Sequence, residues 1–229
     1  MNYLVATSKS WNIDAFYLHT PQLPGTWHLI SQPEQLTLAL LHKLQPDYIF
    51  FPHWSWQVPD AITSQYPCVC FHMTDVPFGR GGSPLQNLIS LGHKKTMLSA
   101  LKMTSELDSG DVYAKVPLEL NGTAQQIYQR ASLLIYQIIR HIVSVNPQPQ
   151  PQQGTATIFQ RRTPAQSELP RNLNAEQLYD FIRMLDAQSY PHAYIEYGNW
   201  KLELTEAEPC ADGTLQAKVQ FHPLKGKPL

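Results

Sequence analysis

The sequence has little charge, and neither sign of charge prevails. Charged residues make up 15% of the 229 residues, and 17 Lys and Arg face 18 Asp and Glu, for a formal net charge of −1. Such a balance lacks the excess of positive charge that is typical of proteins that wrap nucleic acid, so we expect no nucleic-acid partner. Hydrophobic residues reach 43%, which is enough for a sizeable core and excludes global disorder.

Cysteines are also few. Cys68, Cys70 and Cys210 cannot form a disulfide framework, and the single residue between the first two matches no zinc or redox spacing. We therefore predict no metal site. No apolar run approaches the roughly 20 residues that a membrane span needs. The first residues, MNYLVATSKSW, hold too short an apolar run for a signal peptide, so a cytoplasmic location is expected.

Short apolar runs alternate with helical patterns through the first 145 residues. Residues 3–6, 48–51 and 69–71 read as buried strands, and a capping box at Thr123 opens a helix with an apolar stripe from Ile127 to Ile142. This alternation predicts an α/β fold, a Rossmann-like, doubly wound and mostly parallel sheet. Ligands bind such sheets beyond the carboxyl ends of the strands.

A Pro- and Gln-rich segment follows, NPQPQPQQ at residues 146–153. Proline lacks an N–H group and fixes φ, so the segment is predicted to be an extended connector. We place a catalytic domain at residues 1–145, a linker at 146–156 and a small C-terminal α+β subdomain at 157–229. This subdomain is predicted to hold a helix from residue 175 and a β-hairpin that turns at Gly198-Asn199. The long helix or the hairpin would suit a homodimer surface, although core packing explains the same residues.

One His and one Asp are placed to meet beyond the predicted sheet. His72 directly follows a strand and enters a loop with three glycines, and Asp108 lies in a later loop. A carboxylate beside an imidazole orients the ring for acid–base chemistry near neutral pH. A His at a strand end is just as well explained as a structural residue, so this pair alone leaves both interpretations open.

Five further segments are distinctive in type and order: CFHMTDVP at residues 70–77, GRGGSPLQ at 79–86, ELDSGD at 106–111, QRRTP at 160–164 and LYDFIR at 178–183. Together they resemble the folate-dependent formyltransferases, above all the sugar N-formyltransferase branch of the methionyl-tRNA formyltransferase superfamily. This resemblance implies the formyltransferase fold and transfer of a formyl group from 10-formyltetrahydrofolate to an amine.

The resemblance also implies catalytic roles. His72 would be the general acid and base, and Asp108 would orient it or a bound water. Cys70 stands where the family carries an asparagine that donates to the oxyanion, and a thiol is a weak donor. Either protonated His72 or a backbone N–H of the glycine loop would donate to the oxyanion in place of that asparagine, or catalysis would be slower or lost. Two interpretations of Cys70 stay open: a covalent nucleophile, or a small buried hydrophobic side chain.

The same resemblance implies two sets of binding residues. The residues expected to hold the folate cofactor are Trp54, Trp56, Gln57, Val58, Gly110 and Asp111. The residues expected to hold the acceptor are Ser8, Lys9, Trp11, Arg80, Gly81, Gly82 and Arg161.

The acceptor is expected to be a nucleotide-linked amino deoxysugar, as in surface-glycan or lipopolysaccharide biosynthesis. Fewer than about 80 residues follow the linker, a small allowance for the basic domain that the methionyl-tRNA branch carries. Four alternatives stay open: a methionyl-tRNA formyltransferase, a formyltetrahydrofolate hydrolase, a folate-binding module without chemistry, and a nucleotide-binding regulator. The last ranks lowest, because the sequence has no glycine-rich nucleotide motif.

Overall fold

The computed structural model describes residues 1–188 and 190–224. It contains six α-helices and eleven strands over these residues. The helices are α1 (Ser10–His19), α2 (Leu38–Leu44), α3 (Asp60–Thr63), α4 (Pro84–Ser90), α5 (Ala124–Val145) and α6 (Ala175–Arg183). The strands are β1 (Asn2–Ala6), β2 (Thr26–Ile30), β3 (Tyr48–Phe51), β4 (Cys68–His72), β5 (Arg80–Gly81), β6 (Lys95–Lys102), β7 (Val112–Glu119), β8 (Ile158–Phe159), β9 (Ala193–Tyr197), β10 (Trp200–Pro209) and β11 (Leu215–Pro223).

A six-stranded sheet in the order β2-β1-β3-β4-β6-β7 forms the centre of the fold. Strand β1 runs parallel to β2 and β3, and β3 runs parallel to β4, whereas β6 is antiparallel to β4. The α/β class and the largely parallel sheet are therefore confirmed. Pro117 lies inside β7. Because β7 is at the edge of the sheet, a missing N–H group is tolerated there.

Several elements have no counterpart in the sequence expectation. Among them are helix α1, which begins at Ser10, and the strands β2 and β11. The helix was missed because its apolar residues do not form one stripe. Trp11 and Phe16 are buried, but Tyr17 and Leu18 are exposed.

The chain divides into two compact units. The first consists of residues 1–84, 96–118 and 128–159 and contains most of the large sheet. Its core includes Leu4, Leu41, Ile49, Phe51 and Ile62, all fully buried. The chain passes between the units several times, so the units do not coincide with the continuous domains expected from the sequence.

The second unit consists of residues 85–95, 119–127 and the described residues from 160 onward. It contains α6 and the antiparallel sheet β9–β11, and the turn at Gly198-Asn199 joins β9 to β10 as predicted. Buried Arg183 donates from Nε to Asp180 Oδ1 at 2.6 Å and from Nη1 to the carbonyl of Leu120 at 2.6 Å. Within the described residues, no helix is both long and apolar enough to cross a membrane.

Candidate active site

His72 and Asp108 meet in the first unit. His72 is the last residue of β4, and its Nδ1 atom lies 3.4 Å from Asp108 Oδ2 in the loop between β6 and β7. The two side chains are only 7% and 10% exposed. The structure thus brings together an imidazole and a carboxylate that are 36 positions apart in the sequence, as a His–Asp acid–base pair requires.

A backbone carbonyl holds the other side of the imidazole. His72 Nε2 lies 2.8 Å from the carbonyl oxygen of Gly79. A carbonyl only accepts, so Nε2 carries the hydrogen in this arrangement. The ring donates to both neighbours only when Nδ1 is protonated as well. Both nitrogens of His72 are therefore in contact with protein acceptors.

Asp108 is held by its backbone conformation and by a loop amide. Its φ is +53°, in the left-handed region, which costs a residue other than glycine about 1 kcal/mol. The backbone N–H of Gly81 donates to Asp108 Oδ2 at 2.9 Å. The same carboxylate oxygen thus faces the Gly81 amide and the His72 ring.

The glycine loop packs so closely that side chains are excluded. A Cβ atom on Gly79 would lie 2.6 Å from the Phe159 ring, and one on Gly81 would lie 2.5 Å from the Phe159 carbonyl oxygen. Both glycines also have positive φ, +69° and +101°. The loop residues are therefore glycines for steric reasons, apart from any contact with a ligand.

The amides of the glycine loop already have acceptors. The N–H groups of Gly79, Arg80 and Gly82 donate to Thr157 Oγ1, the Thr157 carbonyl and the Phe159 carbonyl, at 2.7, 3.0 and 3.0 Å. The fourth, that of Gly81, donates to Asp108. The expectation that one of these amides replaces the missing asparagine as oxyanion donor conflicts with this arrangement, because each is used within the protein.

The second half of the predicted linker and the three residues after it lie against the glycine loop and the loop that carries Asp108. We call residues 150–159 the strap. Gln150 forms an antiparallel bridge with Val112, with N–O distances of 2.7 and 2.9 Å, and β8 pairs with β5 of the glycine loop. The segment is extended, as its prolines dictate, but it is hydrogen-bonded at Gln150, at Gln152 and at residues 157–159. These bonds could not be predicted from local sequence, because the partners are about 40 to 80 positions away.

Cys70 is half-buried on β4, two residues before His72. Burial, followed by the negative charge of Asp108, raises the pKa of the Cys70 thiol. The thiol therefore stays protonated near neutral pH, which argues against its use as a thiolate nucleophile. It is also a weak donor, so this position supplies no substitute for an amide.

His53 is a polar residue of this region that sequence reasoning passed over. It directly follows β3, and its Nδ1 atom lies 3.0 Å from Asn12 Nδ2. Asn12 in turn accepts from the Ser132 hydroxyl at 2.7 Å. Burial, with a smaller effect of Lys9, lowers the pKa of His53 to about 4, so the ring is neutral at physiological pH. The signal available in the sequence was its place directly after a buried strand.

The residues expected to hold the cofactor occupy different surroundings. Trp54 and Trp56 lie with ring centroids 4.8 Å apart, and Trp56 is 41% exposed. Val58 instead packs in the core of the first unit, so its side chain is not free for a ligand. Gln57 is exposed, and Asp111 is half-buried. Gly110 is buried, and a Cβ there would lie 1.8 Å from the Lys102 carbonyl oxygen.

The residues expected to hold the acceptor lie in several different elements of the chain. Ser8 and Lys9 follow β1, and Lys9 Nζ lies 5.9 Å from the centre of the buried Trp11 ring. Arg80 donates from Nε and Nη2 to Gln152 Oε1, at 3.1 and 2.8 Å. Arg161 belongs to the second unit. Gly81 and Gly82 lie in the glycine loop described above, and over the described chain no three His, Cys, Asp or Glu residues are grouped to hold a metal ion.

One sequence family matches part of the second unit. A family described as "Methionyl-tRNA formyltransferase, C-terminal domain" matches residues 164–222. A curated relative named methionyl-tRNA formyltransferase, from Lactobacillus gasseri, is 24% identical over 198 residues, which are 81% of this chain and 62% of that protein. The chain thus spans about three fifths of the length of the curated relatives it matches.

Solved structures share the fold. A structure titled methionyl-tRNA formyltransferase, from Clostridium thermocellum, superposes with a TM-score of 0.94 at 44% identity, covering 97% of this chain and 99% of that one. HypX from Aquifex aeolicus in complex with tetrahydrofolic acid gives 0.76 at 15% identity, over 90% and 38% of the chains. A sugar N-formyltransferase from a Shewanella species gives 0.65 at 14% identity, over 95% and 96%. The last two show the fold alone.

Proposed function

The chain belongs to the formyltransferase family, and we propose that it transfers a formyl group from 10-formyltetrahydrofolate to a primary amine, with His72 and Asp108 at the reacting centre. The observation that carries this proposal is the 3.4 Å contact between His72 Nδ1 and Asp108 Oδ2 at the carboxyl end of β4. Buried His–Asp pairs of this kind orient an imidazole for proton transfer.

The chemistry needs one group that both takes and returns a proton. The neutral amine attacks the formyl carbon, and a tetrahedral intermediate forms with charge on oxygen. His72 takes a proton from the attacking amine and gives one to the N10 atom of folate as the bond from carbon to N10 breaks. The products are a formamide and tetrahydrofolate. General acid–base help of this kind is worth about 10²–10⁴-fold in rate.

The resting contacts of His72 place a condition on this step. Since Nε2 carries a hydrogen and donates it to the Gly79 carbonyl, it accepts a substrate proton only after the ring or the glycine loop moves and that hydrogen is transferred to Nδ1, which faces Asp108. A protonated ring that leaves Gly79 would then also serve as donor to the oxyanion, because the four amides of residues 79–82 are used elsewhere.

The first acceptor to test is the amino group of methionyl-tRNA. The names of the curated relatives and of the 44% identical structure support this choice. It was an alternative in the sequence analysis, where we favoured an amino sugar and expected no nucleic-acid partner.

A nucleotide-linked amino sugar stays the second candidate, on one observation. Residues 160–229 hold eight Lys and Arg against nine Asp and Glu, a formal charge of −1. A C-terminal segment with no excess of positive charge lacks the basic surface that phosphate backbones usually require. A nucleotide sugar carries few phosphate groups, so a single nearby Lys or Arg side chain would be enough to bind them.

Turnover assays with purified protein separate these functions. We expect tetrahydrofolate release from 10-formyltetrahydrofolate in the presence of methionyl-tRNA or of one member of a panel of nucleotide-linked amino sugars. His72→Ala and Asp108→Asn should lower the rate about 10²–10⁴-fold. Asp75→Asn, which removes a surface carboxylate paired with Lys115, is the matched control and should keep the wild-type rate.

Each other outcome contradicts the proposal in a specific way. Release of tetrahydrofolate without any amine would identify a hydrolase. Folate binding without turnover, together with no effect of His72→Ala, would identify a binding module.

A further inference from the structure

The strap contributes one side chain that joins the two catalytic loops. The Nε2 group of Gln152 donates to the carbonyl oxygens of Asp108 and Gly110, both at 2.8 Å. Its Oε1 atom accepts from Nε and Nη2 of Arg80, at 3.1 and 2.8 Å. Gln152 therefore links the loop that carries the catalytic carboxylate to the glycine loop.

The orientation of this amide is determined by its partners. Two carbonyl oxygens require donors, and a guanidinium requires an acceptor. A flipped amide would place its oxygen against two carbonyls and its NH₂ group against the guanidinium. All four interactions would be lost, so the orientation is the one described. A shorter or acidic side chain cannot make the same set of bonds.

The two loops joined by Gln152 are the ones that hold the Asp108 carboxylate. Asp108 is in the left-handed region, and its own carbonyl is one of the two that Gln152 binds. Arg80, which Gln152 also binds, directly precedes Gly81, whose N–H group donates to Asp108 Oδ2. Gln152 thus holds the backbone of Asp108 itself and, through Arg80, the backbone next to the Gly81 amide that binds the carboxylate.

We propose that Gln152 is a positioning residue that keeps the Asp108 carboxylate directed at His72. The proposal rests on the proposed function for its catalytic consequence, but its structural part does not need turnover. Gln152 acts through Asp108 and does not touch the reacting atoms. A displacement of about 1 Å in a catalytic group lowers rates by about 10²-fold, which sets the size of the expected effect.

The structural test follows the hydrogen exchange of the Gly81 amide, because that N–H group is bonded to Asp108 Oδ2. We expect Gln152→Ala to raise the Gly81 exchange rate at least 10-fold. Gln153→Ala is the matched control, since it removes the same side chain from the next position, where it is exposed. It should leave the rate unchanged. Gln152→Glu keeps the size and an acceptor for Arg80 but lacks the two donors, so it should behave as Gln152→Ala does.

The catalytic test is a double-mutant cycle. In the wild-type background we expect Gln152→Ala to lower kcat about 10²-fold with a small change in KM. In an Asp108→Asn background the same change should lower kcat less than about 2-fold, because a residue acting through Asp108 has nothing left to position. A general loss of stability would instead lower activity equally in both backgrounds.

The outcomes distinguish this proposal from the proposed function. If wild-type protein shows no formyl transfer but Gly81 exchange rises in Gln152→Ala, the proposed function fails and the positioning role stands. If Gly81 exchange is unchanged in both Gln152 variants, the positioning role is overturned, whatever the activity. Equal losses in the two backgrounds of the cycle would also overturn it.

Discussion

The carbonyl oxygen of Gly79 lies 2.8 Å from Nε2 of His72, so a glycine in the loop holds the ring of the proposed acid–base residue. The other ring nitrogen faces Asp108 at 3.4 Å. This arrangement fixes the position and the tautomer of the imidazole before substrate arrives. It also makes the conformation of the loop part of the site.

The first prediction concerns Gly79 itself. Gly79→Ala should destabilise the protein, because a Cβ would lie 2.6 Å from the Phe159 ring while φ is +69°. The left-handed conformation alone costs about 1–2 kcal/mol, and overpacking adds about 1–3 kcal/mol. Gly198→Ala is the control for the first effect, since φ there is +58° and nothing lies within 4 Å.

Urea unfolding of the two variants measures the difference. Gly79→Ala should lose more unfolding free energy than Gly198→Ala. Equal losses would show that the contact with Phe159 is not tight.

A second prediction concerns the missing oxyanion donor. Cys70→Asn places an amide two residues before His72, whereas Cys70→Ala removes the thiol without adding a donor. We expect kcat of the Asn variant to rise about 10-fold, a fraction of the 10²–10³ that one such donor is worth in other enzymes. The Ala variant should show no rise. Steady-state kinetics with saturating folate and acceptor would check this, and equal rates for both variants would mean that another group already stabilises the oxyanion.

A third prediction concerns His53 and pH. Burial lowers the pKa of His53 from 6.5 in the unfolded chain to about 4 in the folded one, so the unfolded state binds more protons between these values. Stability should therefore rise with pH across this window and fall as pH drops from 6.5 towards 4. At about 1.4 kcal/mol per pKa unit, His53 accounts for about 3 kcal/mol of this change.

Unfolding free energies at pH 4.5 and pH 7 test this prediction. His53→Asn should lose about 2–3 kcal/mol of the pH-dependent gain. His42→Gln, on the exposed surface of α2, is the control and should keep the wild-type difference between the two pH values. A wild-type pH dependence in His53→Asn would contradict the assignment.

A fourth prediction concerns the folate site. Trp56 is 41% exposed beside Trp54, in the loop that the family resemblance assigns to the cofactor. Trp56→Ala should weaken binding of a stable 5-formyltetrahydrofolate analogue about 10-fold, because stacking on an aromatic ring is worth about 1–3 kcal/mol. Trp200→Ala removes a similarly exposed tryptophan, at 37%, from the second unit. Calorimetry should show unchanged affinity for that control, and an equal loss in both variants would argue against the assignment.

The elements that the sequence predicted well are those whose pattern is local. The strands at Tyr48–Phe51 and Cys68–His72 appear as short apolar runs, and the capping box at Thr123 marks the start of α5. Thr123 N–H donates to Gln126 Oε1 at 3.0 Å, as the pattern requires. The expected contact of His72 with Asp108 is present, but the gathering of parallel strand ends does not explain it. Strand β6 is antiparallel to β4 and ends beside the start of β4, so the loop after β6 has to reach back to His72.

By itself, the sequence indicated the fold class, the family, and His72 and Asp108 as candidates, because these depend on periodicity and on motifs that are read along the chain. Only the tertiary structure decided which groups surround that pair. The Gly79 carbonyl on the His72 ring, the four occupied amides of the glycine loop and the bonds of Gln152 all join residues through space. Composition indicated that the strap is extended, but an extended segment leaves its backbone and side-chain groups free, and their partners are determined only when the chain is folded.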